Sequence, residues 1–231
     1  MKALFVAGTD TEVGKTMVCG CLAKFLASQG FKVGVQKWVS TGDEGSSKDI
    51  EFSLKMLGKE KEGLANLELI CPYVLTFASS PHLAAELEGK QIDVQRIKES
   101  FYKLSGSYEI LIVEGIGGIM VPLRRDYLLV DLLKDLSLPV LIVARSALGT
   151  INHSLLTIEA LRTRGIEILG VVFNSLPEED DIIVKDNMKV IGHLGNVQVL
   201  GLLPKLDQNE KIYKAFRPIG ERILQKIRRN T

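Results

Sequence analysis

The chain has 231 residues, 46% of them apolar and 25% charged, which is ordinary globular usage and excludes disorder as the main state. Lys plus Arg is 29 and Asp plus Glu is 28, so the net charge of +1 excludes a nucleic-acid binder relying on bulk positive charge. No apolar run reaches the roughly 18–20 residues of a membrane span, and the N-terminal apolar stretch is too short for a signal peptide.

The three cysteines, Cys19, Cys21 and Cys71, cannot all pair with one another, and no Cys/His cluster has zinc spacing. The expectation is a reduced, cytoplasmic protein.

Taken in chain order, the elements alternate. Lys2 to Ala7 is a short apolar run ending at Gly8 and predicts a buried strand. Val18, Leu22, Phe25 and Leu26 repeat at helical spacing within a helix over Lys15 to Ser28. A strand over Phe31 to Gln36 and a helix over Ser47 to Leu57 follow, the latter capped by Ser46 or Ser47 and stopped at Gly58. Residues 58–92 are less regular, with Ser80 as a cap and Pro81 as the first helical residue of a further turn. A helix over Asp93 to Leu104 leads to a strand over Glu109 to Val113, and the loop Glu114-Gly115-Ile116-Gly117-Gly118 comes next. Then come a short helix at Tyr127 to Leu136, a strand at Val140 to Ala144 and a helix at Gly149 to Arg164. The chain finishes with a strand at Ile166 to Phe173, a helix at Ile182 to Ile191, a strand at Val197 to Leu202 and a helix at Asn209 to Arg228.

The runs Ile110-Leu111-Ile112-Val113, Val140-Leu141-Ile142-Val143 and Ile168-Leu169-Gly170-Val171-Val172 are continuously apolar, as suits strands buried on both faces of a parallel sheet. Helices of ten to fifteen residues between strands imply right-handed βαβ units. The reading is a single α/β domain over residues 1–231, a doubly wound, mostly parallel sheet flanked by helices, with ligands at the carboxyl ends of the strands.

The first strand runs into Gly8-Thr9-Asp10-Thr11-Glu12-Val13-Gly14-Lys15-Thr16, and a helix follows. This is a phosphate-binding loop in its required context, strand then glycine loop then helix, of the P-loop NTPase type. Backbone N–H groups and the helix N-terminus present partial positive charge to phosphate oxygens. Lys15 would reach the β- and γ-phosphates, and the Thr16 hydroxyl would ligate Mg²⁺. Five residues separate Gly8 from Gly14, one more than in the usual pattern. Asp10 stands where a common subgroup of P-loop ATPases carries a second lysine, which argues against a partner-switching ATPase.

Glu114 ends an apolar strand, the position from which an acidic residue serves Mg²⁺ directly or through water. Asp49 sits in the first turn of its helix; metal contact and simple compensation of the helix dipole fit it equally, and Glu51 competes on the same helix. Thr16, Asp49 and Glu114 offer oxygen, which suits Mg²⁺.

Together the phosphate loop, Lys37 to Gly42, Ser79-Ser80-Pro81-His82, Val113 to Gly118, Gly149 to Thr157 and Asn174 resemble the dethiobiotin synthetase family. They do so in family order and over almost the whole chain. That resemblance implies ATP- and Mg²⁺-dependent ligase chemistry of biotin synthesis. 7,8-Diaminopelargonate and CO₂ form a carbamate, the carbamate attacks the γ-phosphate of ATP, and the second amine closes the ureido ring on the mixed anhydride. The products are dethiobiotin, ADP and phosphate, and the family works as a homodimer with each site near the interface.

Residue by residue, the resemblance implies catalytic roles for Thr11, Lys15 and Lys37. It implies nucleotide contacts at Glu12, Val13, Gly14, Lys15, Thr16, Met17, Asp49, Glu114, Gly115, Ile116, Gly117, Asn174, Ser175, Leu203, Pro204 and Lys205. Substrate contacts fall on Thr41, Ser80, Pro81, Gly118, Gly149, Thr150, Ile151 and Asn152. The metal positions are Thr16, Asp49 and Glu114. The chain departs from the family pattern at Trp38, usually proline, at Thr41, usually serine, and at Ser175, usually acidic. Two rival readings are a partner-regulated P-loop ATPase and a noncatalytic regulatory module of similar fold.

Overall fold

The apolar runs lie side by side in the computed structural model, which describes residues 2–60, 66–175 and 180–229. The central sheet holds β1 (Ala3–Gly8), β2 (Val33–Lys37), β5 (Ile110–Gly118), β8 (Val140–Arg145), β9 (Ile168–Asn174) and β10 (Val199–Leu203). Its order is β10-β9-β8-β1-β5-β2, and every pairing is parallel. All six carboxyl ends therefore share one edge. Leu4, Val6, Leu111, Val113, Leu141 and Val143 have no exposed surface, as expected of strands covered on both faces.

Helix α1 (Lys15–Ser28) packs with α2 (Lys48–Met56) and α9 (Asn209–Arg229) over one face. The other face carries α5 (Val94–Ser107), α6 (Leu129–Asp135) and α7 (Thr150–Thr163), tied to one another by Lys98–Asp135 and Arg164–Asp131 ion pairs. Helix α8 (Asp181–Leu194) packs on α7.

Caps set several boundaries where the sequence signals them. Ser47 accepts from the Ile50 N–H, Asp93 from Gln95 and Asp180 from Ile182. Ser80 takes the N-cap position of α4 (Pro81–Leu87) with Pro81 as first helical residue, although its hydroxyl makes no cap bond.

Two expectations are corrected. The segment from Glu114 to Gly118 is not a loop, because β5 continues through Gly118 and pairs there with Gly8. Tyr127 and Leu128 belong to β7 (Tyr127–Leu128), which forms a hairpin with β6 (Pro122–Arg124), and only Leu129–Asp135 is helical. At the start of α7, Gly149 takes the N-cap position at φ 86°, and the Thr150 hydroxyl meets that of Ser154 at 3.4 Å.

The irregular stretch 58–92, of which 61–65 lie outside the described residues, holds α3 (Leu67–Ile70), β4 (Tyr73–Leu75) and α4. β4 pairs in parallel with β3 (Val39–Thr41) as a separate two-stranded sheet. After Lys37 the chain thus leaves the central sheet and joins a second one within two residues.

Candidate functional site

The loop between β1 and α1 wraps the N-terminus of α1. Gly14 takes φ 96°, a left-handed conformation. A Cβ there would also overlap the Asn174 carboxamide, whose Nδ2 donates to the Val13 carbonyl at 3.2 Å. Only glycine fits, so the loop is held down by the end of β9. The Lys15 ammonium lies across the loop and donates to the Asp10 carbonyl at 2.7 Å.

Parallel register puts Lys37, the last residue of β2, directly beside Glu114 of β5. Lys37 Nζ lies 3.4 Å from Glu114 Oε1 and makes a short ion pair with Asp49 Oδ2. Asp49 arrives on α2, which comes close to α1 because Gly20 has no side chain. A Cβ at Gly20 would stand 2.7 Å from the Phe52 ring. The Thr16 hydroxyl is 2.8 Å from Asp49 Oδ1 and 2.7 Å from Glu114 Oε1. The structure therefore brings four separated positions, 16, 37, 49 and 114, to one point. It also separates the two acidic residues of α2, since Glu51 bonds Ser46 instead.

Burial makes these charges matter. Lys37 and Glu114 are each 4% exposed. Desolvation pushes the Lys37 ammonium down, but Glu114 and Asp49 outweigh it and hold Lys37 above the usual lysine value. Asp49 is also pushed up by burial, yet the Lys37 charge and the bonds from Lys37 and Thr16 leave it below the usual carboxylate value. Glu114 goes the other way: burial, helped by the Asp49 charge, raises it against the pull of Lys37. Lys15 is lowered by burial and by the Lys37 charge. The site thus holds one strongly committed cation, Lys37, and one cation whose proton is less firmly kept.

These groups open on a cavity of about 620 Å³. Of the positions picked out from sequence, Thr11, Glu12, Gly14, Lys15, Thr16, Met17, Lys37, Thr41, Asp49, Glu114, Ile116 and Gly117 line it. Ser40 and Phe52 line it too and were not anticipated. Phe52 was within reach of helical spacing, three residues after Asp49 and on the same side of α2; Ser40 lies within the Lys37 to Gly42 segment but was not singled out there. Val13 is fully buried beneath the loop, and Gly115 continues β5.

The remaining positions lie elsewhere along the same edge. Gly118 lines a neighbouring cavity of about 240 Å³ with Asp10 and His153, and His153 Nδ1 is 3.9 Å from Asp10 Oδ2. That places the start of α7, Gly149, Thr150, Ile151 and Asn152, beside the phosphate loop without reaching the main cavity. Ser80 and Pro81 open α4 and do not line it. Asn174 pairs in register with Leu203, and the Ser175 N–H donates to the Leu203 carbonyl at 2.9 Å; Pro204 and Lys205 follow β10 directly. Trp38 turns away from the cavity into the core and is 2% exposed.

Known proteins resemble this chain in sequence and in fold. A family model described as an AAA domain matches residues 2–212. The ATP-dependent dethiobiotin synthetase of Thermodesulfovibrio yellowstonii is 40% identical over 221 residues, covering 91% of this chain and 92% of that one. The corresponding enzyme of Methanococcus vannielii is 39% identical over 201 residues, 87% of this chain and 92% of that one. Among solved structures, the cell division ATPase MinD of Pyrococcus furiosus superposes with a TM-score of 0.60 at 19% identity, covering 97% of this chain and 99% of that one. Cobyrinic acid a,c-diamide synthase from Mycobacterium smegmatis, solved with bound ADP and magnesium, gives 0.59 at 17% identity, covering 99% and 96%. At those identities the structural likeness is one of fold alone. With a phosphate loop in place and two fifths of the sequence shared along nearly its full length, the chain belongs to the family of ATP-dependent dethiobiotin synthetases.

Proposed function

We propose that this chain, working as one domain, closes the ureido ring of dethiobiotin from 7,8-diaminopelargonate, CO₂ and ATP. The observation that carries the reading is the meeting of Thr16, Lys37, Asp49 and Glu114 beside Lys15 on one cavity. The carbamate of the diamine attacks the γ-phosphate and ADP leaves. The second amine then attacks the carbonyl of the mixed anhydride, and phosphate leaves.

The chain's part is positioning and charge neutralisation, as phosphoryl transfer requires. Lys15, Thr11 and the loop N–H groups bind the phosphates, with Glu12, Val13, Gly14 and Met17 shaping the loop. Lys37, held protonated by its two carboxylates, neutralises negative charge as the anhydride forms. Ile116 and Gly117 wall the cavity, Gly117 close to Thr11 of the loop, and Thr41 offers its hydroxyl to the substrate. Asn174, Ser175, Leu203, Pro204 and Lys205 form the adenine end. Gly118 and the N–H groups at Gly149 to Asn152, with Ser80 and Pro81, take the substrate's chain and carboxylate.

The oxygen cluster fits a magnesium ion. One hydroxyl proton on Thr16 cannot serve Asp49 and Glu114 fully at once, and Glu114 Oε2 is buried with no partner. Thr16, Asp49 and Glu114 would hold Mg²⁺, which when bound supplies neutralisation of the phosphate oxygens. We also assign a homodimer and a cytoplasmic setting. Leu148 and Leu156, 76% and 60% exposed beside the start of α7, suit a covered face, and three free cysteines suit a reducing compartment. Among the described residues no helix is long and apolar enough to cross a membrane.

The test is ADP release with ATP, Mg²⁺ and bicarbonate, with and without 7,8-diaminopelargonate, recording product mass. Diamine-dependent release with the mass of dethiobiotin is expected. ATP turnover indifferent to the diamine would overturn the reading. Light scattering in solution checks the dimer.

A further inference from the structure

Lys37 stands between two residues that never meet solvent. Gln36 is 0% and Trp38 2% exposed. Gln36 and Trp38 lie together in the core, whereas the Lys37 ammonium meets Asp49 and Glu114. Their side chains are bonded to each other: the Trp38 Nε1–H donates to Gln36 Oε1 at 3.0 Å. Gln36 Nε2 donates in turn to the Leu69 carbonyl of α3 at 2.8 Å. The indole is wedged between two rings, with Phe5 of β1 at 5.2 Å between centroids and Phe101 of α5 at 6.4 Å, edge-on.

This is the place where the chain needs a fixture. Trp38 is the single residue between β2, in the central sheet, and β3, which pairs with β4 in another. Trp38 itself pairs in neither ladder, so the change of direction between the two sheets falls on this one residue. The lysine stem is long and flexible, so the position of its ammonium depends on where the backbone aims it. A side-chain bond from residue 36 to residue 38 closes a ring around the Lys37 backbone. Rotation at Lys37 must then break a buried hydrogen bond and strand an amide oxygen in the core.

We infer that Gln36 and Trp38 are positioning residues for Lys37: the amide–indole bond, anchored to α3 on one side and to the Phe5–Phe101 slot on the other, sets the direction of the Lys37 ammonium. The inference rests on the reading of Lys37 as a catalytic residue. It gives the buried Trp38 a physical task.

Trp38→Phe keeps a ring in the slot and removes only the donor. The expected result is a fall of about tenfold in kcat for dethiobiotin formation, with KM for ATP within about twofold of the parent, because the phosphate loop is untouched. Phe216→Leu, which loses a fully buried ring on α9 away from the joint, is the packing control and lowers Tm without changing kcat. In a Lys37→Ala background, Trp38→Phe produces no further loss of the residual kcat, since it acts through a side chain that is gone. Gln36→Met, which removes the acceptor at similar length, gives the same pattern and serves if Trp38→Phe folds poorly. Parental kcat in folded Trp38→Phe or Gln36→Met, or an equal loss with and without the Lys37 side chain, would overturn the inference. Parental turnover in Lys37→Ala would instead sink the catalytic reading of Lys37 itself, whatever the Trp38 variants do.

Discussion

The two sides of β1 are built for different work. On the β5–β2 side, the carboxyl edge carries buried charge: Lys37 and Glu114 in register on neighbouring strands, and Asp49 brought over by α2. On the β8–β9–β10 side, the strand ends carry no ion pair among the described residues: half-buried Arg145 ends β8 beside Asn174, whose amide lies against the phosphate loop, and Ser175 bonds Leu203 through the main chain. Charge that must be neutralised during a reaction needs fixed, desolvated partners, because such partners gain most in a low-dielectric site. A base or a neutral chain can be recognised by dipoles, which cost less to keep buried. On the proposed function, the difference places phosphoryl chemistry and recognition of the adenine on opposite sides of the first strand, with the phosphate loop as their shared boundary.

The comparison breaks most sharply at the lysines. Lys15→Ala and Lys37→Ala should each lower kcat by roughly ten- to a hundredfold, as a charge-assisted contact is worth about 1.5–3 kcal/mol, while circular dichroism reports an intact fold. Near-parental turnover in either would remove its assigned role. Gly14→Ala strikes both sides together, since it forces a left-handed alanine into the Asn174 carboxamide. It should cost on the order of 1–3 kcal/mol in urea unfolding. If stability and the KM for ATP both hold, the loop is not clamped as described.

Glu114→Gln keeps the shape and removes one charge from the oxygen cluster. The Mg²⁺ concentration for half-maximal turnover should rise about tenfold. An unchanged Mg²⁺ requirement would take Glu114 out of the metal set. On the recognition side, Asn174→Ala should raise KM for ATP about fivefold, matching ~1 kcal/mol for a neutral hydrogen bond, and leave kcat alone. A loss in kcat instead would mean that the two sides are not separate.

The smallest effect is a pH dependence. The folded-state value of Lys15 is lowered and that of Lys37 raised. As pH rises, Lys15 therefore loses its proton first, and the alkaline limb of kcat/KM for ATP should begin below the ordinary lysine value of 10.5. Lys15→Arg, which cannot deprotonate in this range, should remove that limb even if it lowers the plateau. A limb that persists in Lys15→Arg would assign it to another group. Stability follows a different sign. The Lys37 contribution is present at neutral pH and is lost only as pH climbs through its raised value. The Asp49 contribution is present above the ordinary carboxylate value and is lost as pH falls through its lowered one.

Much of this molecule is written locally in its sequence. The phosphate loop is a contiguous string, and its strand and helix contexts carry their own periodicities. The span predicted for α1, Lys15 to Ser28, is the span observed. The caps at Ser47 and Asp93 and the continuous apolar runs are signals within a few residues of the element they specify. Lys37 and Glu114 were visible as strand-end residues for the same reason.

The tertiary structure decided what depends on distant neighbours. Asp49 and Glu51 share a first helical turn, and only the packing of α2 against α1 at Gly20 sends Asp49 to Thr16 and leaves Glu51 with Ser46. Strands of three residues, such as β3 and β4, exist because they find each other, not because either has a pattern of its own. The extension of β5 through Gly118 rests on pairing with Gly8. Trp38 reads in the sequence as a bulky intruder beside Lys37; the slot between Phe5 and Phe101, more than thirty residues away on either side, turns it inward. Local signals follow from backbone and solvation preferences within a turn or a strand. The choice among equally soluble side chains is made by whichever partner the folded chain delivers.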